Sequence, residues 1–150
     1  MPAREATNAV TLTIVDISRL LRRRFERRLT SIDTGLTVAE ARALAFVWRN
    51  PNLRQAALAE RMGVEPMTVV GYLDGLERAG LVERTVDPTD RRAKLVNLSP
   101  TAGPVVHDIA GVIFDLRDEA LQGIPEEHQE LLTELLEKMK HNLCVADAEE

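Results

Sequence analysis

Apolar side chains recur every three to four positions near the start of the chain, and this spacing predicts a long amphipathic helix at residues 7–29. Gly35 interrupts the pattern. Thr37 then precedes Glu40 at the spacing of a capping box, which predicts a second helix that stops before Asn50 and Pro51. The apolar positions of the first helix are Val10, Ile14, Ile17, Leu21 and Phe25.

Two short helices and a hairpin are predicted next. We expect Gly63 to end the third helix, because glycine tolerates the left-handed conformation of a tight turn. Pro66 suits the first position of a fourth helix. The strand candidates at 82–86 and 94–98 flank a polar, turn-rich segment at 87–90, and together they predict a hairpin with a protruding loop.

The rest of the chain returns to helical spacing. Ser99 and Pro100 have the order of a cap and a first-turn proline, so they predict the start of a fifth helix. The segment 123–125 (GIP) separates that helix from a sixth. The predicted fold class is mainly α with a small β-hairpin. The first, fifth and sixth helices carry apolar stripes that no further layer covers, and a partner subunit is their natural cover.

The composition indicates one soluble globular domain, since the 150 residues are 45% hydrophobic and 29% charged. No apolar run approaches the ~18 residues of a membrane span and no signal peptide is evident, so we expect a cytoplasmic protein with no membrane partner. The single cysteine, Cys144, fits a reducing compartment. The net charge of −5 argues against a general nucleic-acid binder, so a DNA-binding surface has to be local.

Residues 59–69 (AERMGVEPMTV) have the spacing of a helix-turn-helix, with a small residue at Ala59, a turn at Gly63 and a packing residue at Val69. Two helices crossed in this way present one face to the major groove of DNA, which is wide enough to admit a helix. Arg91 and Arg92 in the predicted hairpin suit the narrow minor groove. Two plainer interpretations stay open, a structural corner of two helices and a solvated charged turn.

Four consecutive segments carry a resemblance to a known family. They are LRQAALA at 53–59, LERAGLVER at 76–84, DPTDRRAK at 87–94 and LSPTAG at 98–103. They resemble the signatures of MarR-family regulators, and the similarity covers essentially the whole chain. The resemblance implies a winged helix-turn-helix as a single domain at 1–150, with a DNA-binding lobe at 37–98 and dimerisation helices at 7–29 and 100–145. It also implies a homodimer that binds palindromic double-stranded DNA as a ligand-responsive repressor without a cofactor.

The resemblance assigns DNA contacts to a recognition helix at 66–79 and to the hairpin, or wing. Thr68 can bond a phosphate or a base edge, and Met67 and Val70 can contact thymine methyl groups. Asp90 is expected to hold the wing by bonding the backbone or an arginine. The core face of the helix is expected to be Val69, Tyr72, Leu73 and Leu76. The expected DNA-binding residues are Met67, Thr68, Val70, Gly71, Asp74, Arg78, Arg91, Arg92 and Lys94.

The sequence departs from the family pattern in three places. Gly71 and Gly75, both expected on the outer face of the recognition helix, stand where the family often has arginine. Glu65 stands where a serine cap is usual. Each glycine costs the helix up to ~1 kcal/mol relative to alanine. Because direct guanine readout is lost with the arginines, we expect the operator to be read largely through the wing and through DNA shape.

The resemblance further implies a ligand pocket between the DNA lobe and the dimer helices, with a small aromatic or phenolic acid as the effector. Ser18, Arg22 and Trp48 are the candidate lining residues. The arginines of the first helix have two interpretations, an anion-binding edge of that pocket or salt bridges to the acidic sixth helix. These arginines are Arg22, Arg23, Arg24, Arg27 and Arg28.

Other chemistry has little support in the sequence. His107, His128 and His141 lie far apart without metal-ligand spacing, so no metal site is expected. Cys144 lies outside the first helix, where some family members sense oxidants. No nucleophile–base pairing or glycine-rich phosphate loop is present, so an enzyme is not expected. The alternative function is a winged-helix module that binds protein instead of DNA, which the poor basicity of the recognition helix favours.

Overall fold

The computed structural model describes residues 2–148, and it describes the side chains of residues 9–146. The chain divides into two compact units, of which the first extends to Leu116 and the second begins at Arg117. The fold is mostly helical with a small antiparallel sheet, as predicted. The elements are α1 (Pro2–Leu29), α2 (Val38–Arg49), β1 (Leu53–Arg54), α3 (Gln55–Met62), α4 (Pro66–Arg78), β2 (Val82–Asp87), β3 (Asp90–Leu98), α5 (Gly103–Ala120) and α6 (Glu126–Ala148).

α2 begins at the predicted capping box. The hydroxyl of Thr37 accepts a hydrogen bond from the backbone N–H of Glu40 at 3.1 Å. The carboxylate of Glu40 accepts one from the backbone N–H of Thr37 at 2.9 Å. These bonds satisfy donors that a helix start would otherwise leave unpaired, and they hold the Glu40 side chain in one position. α2 ends at Arg49, before the proline at 51, as the sequence predicts.

The sheet has the strand order β1-β3-β2, with every neighbour antiparallel. The hairpin strands are longer than the predicted segments 82–86 and 94–98, because Asp87 also pairs with Asp90, after a register shift that leaves residues 91–93 without partners on β2. The turn is therefore reduced to residues 88–89. β1 was not predicted, since a strand of two residues is too short to show an alternating pattern.

The hydrophobic core of the first unit lies where α2, α3, α4 and the sheet meet. It is built from aliphatic side chains and methionine, while Phe25 and Tyr72 are only partly buried at its edge. Because α3 and α4 share this core, it fixes the orientation of α4 and of the face that α4 presents outward. The largest fully buried side chains are Leu44, Leu58, Met62, Leu73, Leu76, Ile109, Val47, Val69 and Val96.

The prediction that Ser99 and Pro100 start the fifth helix is wrong. α5 begins at Gly103, and the hydroxyls of Ser99 and Thr101 instead donate to the carbonyl oxygen of Gly80. Gly80 has a left-handed φ of 74°, in the turn that follows α4. Carbonyl groups at the end of a helix lack helical partners, so the two hydroxyls satisfy this one and are not used as a helix cap.

The second unit contains the end of α5 and the whole of α6. The predicted break is present, with a left-handed Gly123 at φ 81°. The carbonyl oxygen of Pro125 accepts backbone N–H bonds from His128 and Gln129 in the first turn of α6. Among the residues described, no helix has the length and apolar character needed to cross a membrane.

Candidate nucleic-acid interface

The turn between α3 and α4 forms the corner that the sequence predicts. Gly63 ends α3 in the left-handed conformation, with φ 65°. Pro66 is the first residue of α4, a position where its missing N–H removes no helical hydrogen bond. The guanidinium of Arg42 on α2 donates to the carbonyl oxygen of Met62 at 2.8 Å and so satisfies an orphan acceptor at the end of α3. The helix-turn-helix is therefore attached to α2 as well as to the core.

α4 packs on the core through one face and leaves the opposite face open. Val69, Leu73 and Leu76 have no exposed surface, whereas Met67 is 79% exposed. Nothing lies within 4 Å of the point where a side chain would begin at Gly71. The beginning of the open face therefore offers small and apolar groups and no formal charge. Of the other candidate contacts, Thr68 and Arg78 are exposed, while Val70 and Asp74 are half-buried.

Gly75 does not lie on this open face, so the interpretation that it replaces an outward-facing arginine is wrong. A Cβ at Gly75 would overlap the carboxylate of Glu40, the capping residue of α2. Glycine at this position leaves room for the Glu40 side chain beside α4. Of the two glycines of α4, Gly71 is the one with open space around the position of a Cβ.

β2 and β3 form the wing. Near its tip, the carboxylate of Asp90 accepts a hydrogen bond from the backbone N–H of Arg92 at 3.0 Å. The side chains of Arg91, Arg92 and Lys94 are exposed, and none of them forms an ion pair with a described residue. The end of the wing thus carries three positive charges that are available to a phosphate backbone.

The tip of the wing is also held by the buried carboxylate of Asp87. It accepts hydrogen bonds from the backbone N–H of Thr89 at 2.8 Å, from the Thr89 hydroxyl at 2.7 Å and from Nε of Arg54 at 2.7 Å. The bonds from Thr89 contribute most to lowering the pKa of the Asp87 carboxyl, and Arg54 adds to the effect. Since Arg54 belongs to β1, this contact joins the tip of the wing to the opposite edge of the sheet.

A second ionic cluster joins the wing to α4. Nη2 of Arg84 on β2 lies 2.6 Å from a carboxylate oxygen of Asp74 and 2.6 Å from one of Glu77. The hydrogen bond to Glu77 is the largest cause that raises the pKa of the Arg84 guanidinium, and the same bond lowers the pKa of the Glu77 carboxyl. Arg78 borders the cluster, and the four side chains line a cleft of about 400 Å³.

Sequence reasoning did not single out Arg84. The sequence did contain a signal for Arg84, the alternation of inward and outward side chains along β2. Arg84 follows the buried Val82 by two positions and therefore points to the same face of the strand. An arginine on the inward face of a strand requires carboxylate partners, since a buried unpaired charge is costly. Its partners are distant in the sequence, so the pattern alone could not identify them.

The comparisons with known proteins agree with this architecture. Residues 34–93 match the model of the MarR family. The crystal structure of transcriptional regulator PA3341 is 35% identical to this chain, the match covers 89% of this chain and 97% of the other, and the TM-score is 0.73. The chain belongs to the MarR family. The predicted family and winged fold are thereby confirmed, and the protein is a DNA-binding transcriptional regulator.

Two further solved structures show the same fold. A MarR-family transcriptional regulator from Silicibacter pomeroyi is 28% identical, with 89% of this chain and 88% of the other covered and a TM-score of 0.74. CouR from Rhodococcus jostii, in a structure bound to p-coumaroyl-CoA, is 22% identical, with 87% and 90% covered and a TM-score of 0.66. At this identity, the likeness to CouR concerns the fold alone.

The three candidate ligand residues of this MarR-family chain are not brought together by a described contact. Ser18 and Arg22 are exposed on α1, where Arg22 pairs with Glu26 at 3.0 Å, and Trp48 is half-buried on α2. Sequence reasoning missed Arg42, whose guanidinium lies 5.4 Å from the centre of the Phe46 ring. Burial is the main cause that lowers the pKa of Arg42, and the charge of Arg22 lowers it further.

The remaining candidates are surface groups. Within residues 9–146, no cluster of three or more histidine, cysteine or acidic side chains is arranged to hold a metal ion. His107, His128 and His141 are exposed, and the thiol of Cys144 is free and exposed. The arginine-rich part of α1 includes the pair Arg22–Glu26, which lies within the helix itself.

Proposed function

We propose that this MarR-family regulator is a homodimeric, ligand-responsive repressor that binds a palindromic operator. The observation that carries the proposal is that one hydrophobic core supports both an open α4 face and the wing. At the end of the wing, Arg91, Arg92 and Lys94 are exposed and have no ion-pair partner among the described residues. In this arrangement α4 enters the major groove, and the wing tip meets the minor groove and the phosphates beside it.

The α4 contacts would be mostly apolar. Met67, with 79% of its surface exposed, suits contact with a thymine methyl group, and Thr68 can donate to a phosphate or a base edge. The open space at Gly71 allows the backbone of the helix to come close to a base pair. Arg78 is exposed at the end of α4, where it can reach a phosphate. We assign Val70 to the edge of this contact and Asp74 to the ion pair with Arg84.

The charged contacts would come from the wing. Arg92 and Arg91 suit the narrow, electronegative minor groove, and Lys94 suits a neighbouring phosphate. Asp90 would keep this end of β3 in place through its bond to the backbone of Arg92. Because the first part of the open α4 face has no charge, the wing would supply most of the electrostatic attraction to DNA.

Dimerisation would involve the helices outside the winged lobe. On α1, Leu12 and Val15 are 64% and 63% exposed, and on α6 Leu135 is 51% exposed. Large apolar side chains that recur at the surface of a helix mark an interface. A second copy of the chain, related by a two-fold axis, would bury equivalent patches on both subunits and would present two lobes to an inverted repeat.

The effector would be a small aromatic acid. Support comes from Arg42, which is partly buried beside Phe46 and has no carboxylate within ion-pair distance among the described residues. The charge of Glu26 raises the pKa of Arg42, but burial and the charge of Arg22 lower it by more. A carboxylate bound there would offset the desolvation of Arg42 and the repulsion from Arg22. Ser18 and Trp48 remain candidates to complete the pocket. CouR, a protein of the same fold, binds an aromatic acyl thioester, p-coumaroyl-CoA.

The test begins with selection of a DNA duplex from a random pool by the wild-type protein. Footprinting of the selected duplex should show two inverted half-sites about ten base pairs apart, centre to centre. Sedimentation equilibrium should show a dimer, and a panel of phenolic acids should weaken operator binding. Failure to enrich any duplex would refute operator reading and favour the protein-binding alternative. A monomer in sedimentation equilibrium would refute the proposed dimer. Operator binding that no acid of the panel changes would refute the proposed effector.

A further inference from the structure

Arg84 joins three elements of the winged lobe from an inward-facing position on β2. Its side chain is 11% exposed. Nη2 lies 2.6 Å from both Asp74 and Glu77 on α4, and Nη1 lies 3.4 Å from the amide oxygen of Gln55 at the start of α3. Nε is buried and has no hydrogen-bond partner among the described residues. Two of the three guanidinium nitrogens thus bind side chains of α3 and α4, so Arg84 is committed to contacts within the protein.

The two acids that Arg84 contacts belong to the helix that reads DNA. The charged residues of α4 are Asp74, Glu77 and Arg78, so the helix alone carries one net negative charge. The carboxylates are also accessible, since the side chains of Asp74 and Glu77 are 48% and 44% exposed. Negative charge on a surface that must approach phosphates opposes binding.

We propose that Arg84 is a positioning residue that makes the acidic end of α4 compatible with DNA, by holding Asp74 and Glu77 against the wing and compensating their charge without touching the DNA itself. The proposal rests on the proposed approach of α4 to the major groove. Under this proposal, Arg84 contributes to the affinity for DNA although it lies outside the surface that contacts the DNA.

The burial of Arg84 argues against a direct contact with phosphate. A guanidinium that already bonds two carboxylates has little capacity left for a phosphate, and most of its surface is covered by protein. The charge of Lys94, on the neighbouring strand, also lowers the pKa of the Glu77 carboxyl, by less than Arg84 does. The positive charge of Arg84 on the wing thus compensates the negative charges of Asp74 and Glu77 on α4.

The experiment measures the affinity of four variants for the operator duplex selected with the wild-type protein. Arg84→Met removes the charge and keeps most of the stem, and we expect affinity to fall about tenfold, through repulsion between the uncompensated acids and DNA. Arg84→Lys keeps the charge and should bind within about threefold of wild type. Arg84→Met combined with Asp74→Asn and Glu77→Gln removes both acids and should recover most of the lost affinity.

The fourth variant is a matched control. Arg19→Met removes an arginine from an exposed ion pair with Asp16 on α1 and should leave affinity unchanged. Circular dichroism and thermal melting check that each variant is folded. If Arg84→Met does not fold, the lysine variant and the triple variant still decide the question.

Two results would overturn the proposal. One is wild-type affinity in folded Arg84→Met. The other is a triple variant or a lysine variant that binds as weakly as folded Arg84→Met. That result would indicate a structural role or a direct phosphate contact, because neither is rescued by removing the acids or by moving the charge. Absence of any duplex that the wild-type protein selects would instead count against the proposed operator binding, so the two failures are distinguishable.

Discussion

Replacing each of the two glycines of α4 with alanine should have unequal effects on stability. Gly71 and Gly75 lie about one turn apart in the same helix, and alanine improves helix propensity at both by up to about 1 kcal/mol. Gly71 has no atom within 4 Å of a new Cβ, so Gly71→Ala should realise this gain. At Gly75 the new methyl group would overlap the carboxylate of Glu40.

The expected difference follows from the capping box. To avoid the new methyl group, Glu40 has to move away, and its bond to the backbone N–H of Thr37 at 2.9 Å is then weakened or lost. A hydrogen bond of this kind contributes about 0.5–1.5 kcal/mol, which offsets the gain in propensity. Since the propensity gain is the same at both positions, we expect Gly75→Ala to be about 0.5–1.5 kcal/mol less stable than Gly71→Ala, or about 1–6 °C lower in melting temperature.

Thermal and urea unfolding of both variants, followed by circular dichroism, measure this difference. A double-mutant cycle tests its cause, because Gly75→Ala should become as favourable as Gly71→Ala once Glu40→Ala has removed the obstructing carboxylate. Equal stability of the two single variants would refute the reasoning. So would a Gly75→Ala effect that does not depend on Glu40.

Three further predictions concern the wing and the electrostatics. Asp90→Ala should lower stability by about 0.5–1.5 kcal/mol in urea unfolding and weaken operator affinity a few-fold, because the bond to the Arg92 backbone is lost. The folded-state pKa values of Asp87 and Glu77 are depressed, so the stability that these carboxylates contribute is present above about pH 4 and is lost as the pH falls further. Urea unfolding from pH 5 to 3 should show this loss of stability, and the loss should be smaller in Asp87→Asn. Operator affinity should fall steeply with salt in titrations, through counterion release, and a flat response would contradict phosphate contacts.

Local signals in the sequence predicted most of the fold. The capping box at Thr37, the left-handed turn at Gly63 and the first-turn Pro66 each depend on residues within a few positions, and each is present. The apolar spacing of α4 also predicted its buried face. The start of α5 was mistaken because Ser99 bonds to Gly80, a partner that the local pattern around Ser99 does not reveal.

The site was less accessible to sequence reasoning, since its organisation depends on contacts between distant residues. Arg84 meets Asp74 across the junction of β2 and α4, and Asp87 meets Arg54 across the sheet. Gly75 looked like a position on the outer face because helical spacing gives the direction of a side chain but not the location of a neighbouring helix such as α2. The exposed wing arginines needed no distant partner, and their segment was recognisable from the sequence.

The most direct test of the central claim is the operator affinity of Arg92→Ala beside its thermal stability. Arg92 is exposed and its side chain has no ion-pair partner among the described residues, so the substitution should change stability by less than ~0.5 kcal/mol. Loss of its contact with the minor groove or a phosphate should cost about 1–3 kcal/mol per half-site, and the effect should double in a dimer on two half-sites. Near-normal affinity in the folded variant would contradict the account, because the wing would then be only a surface hairpin.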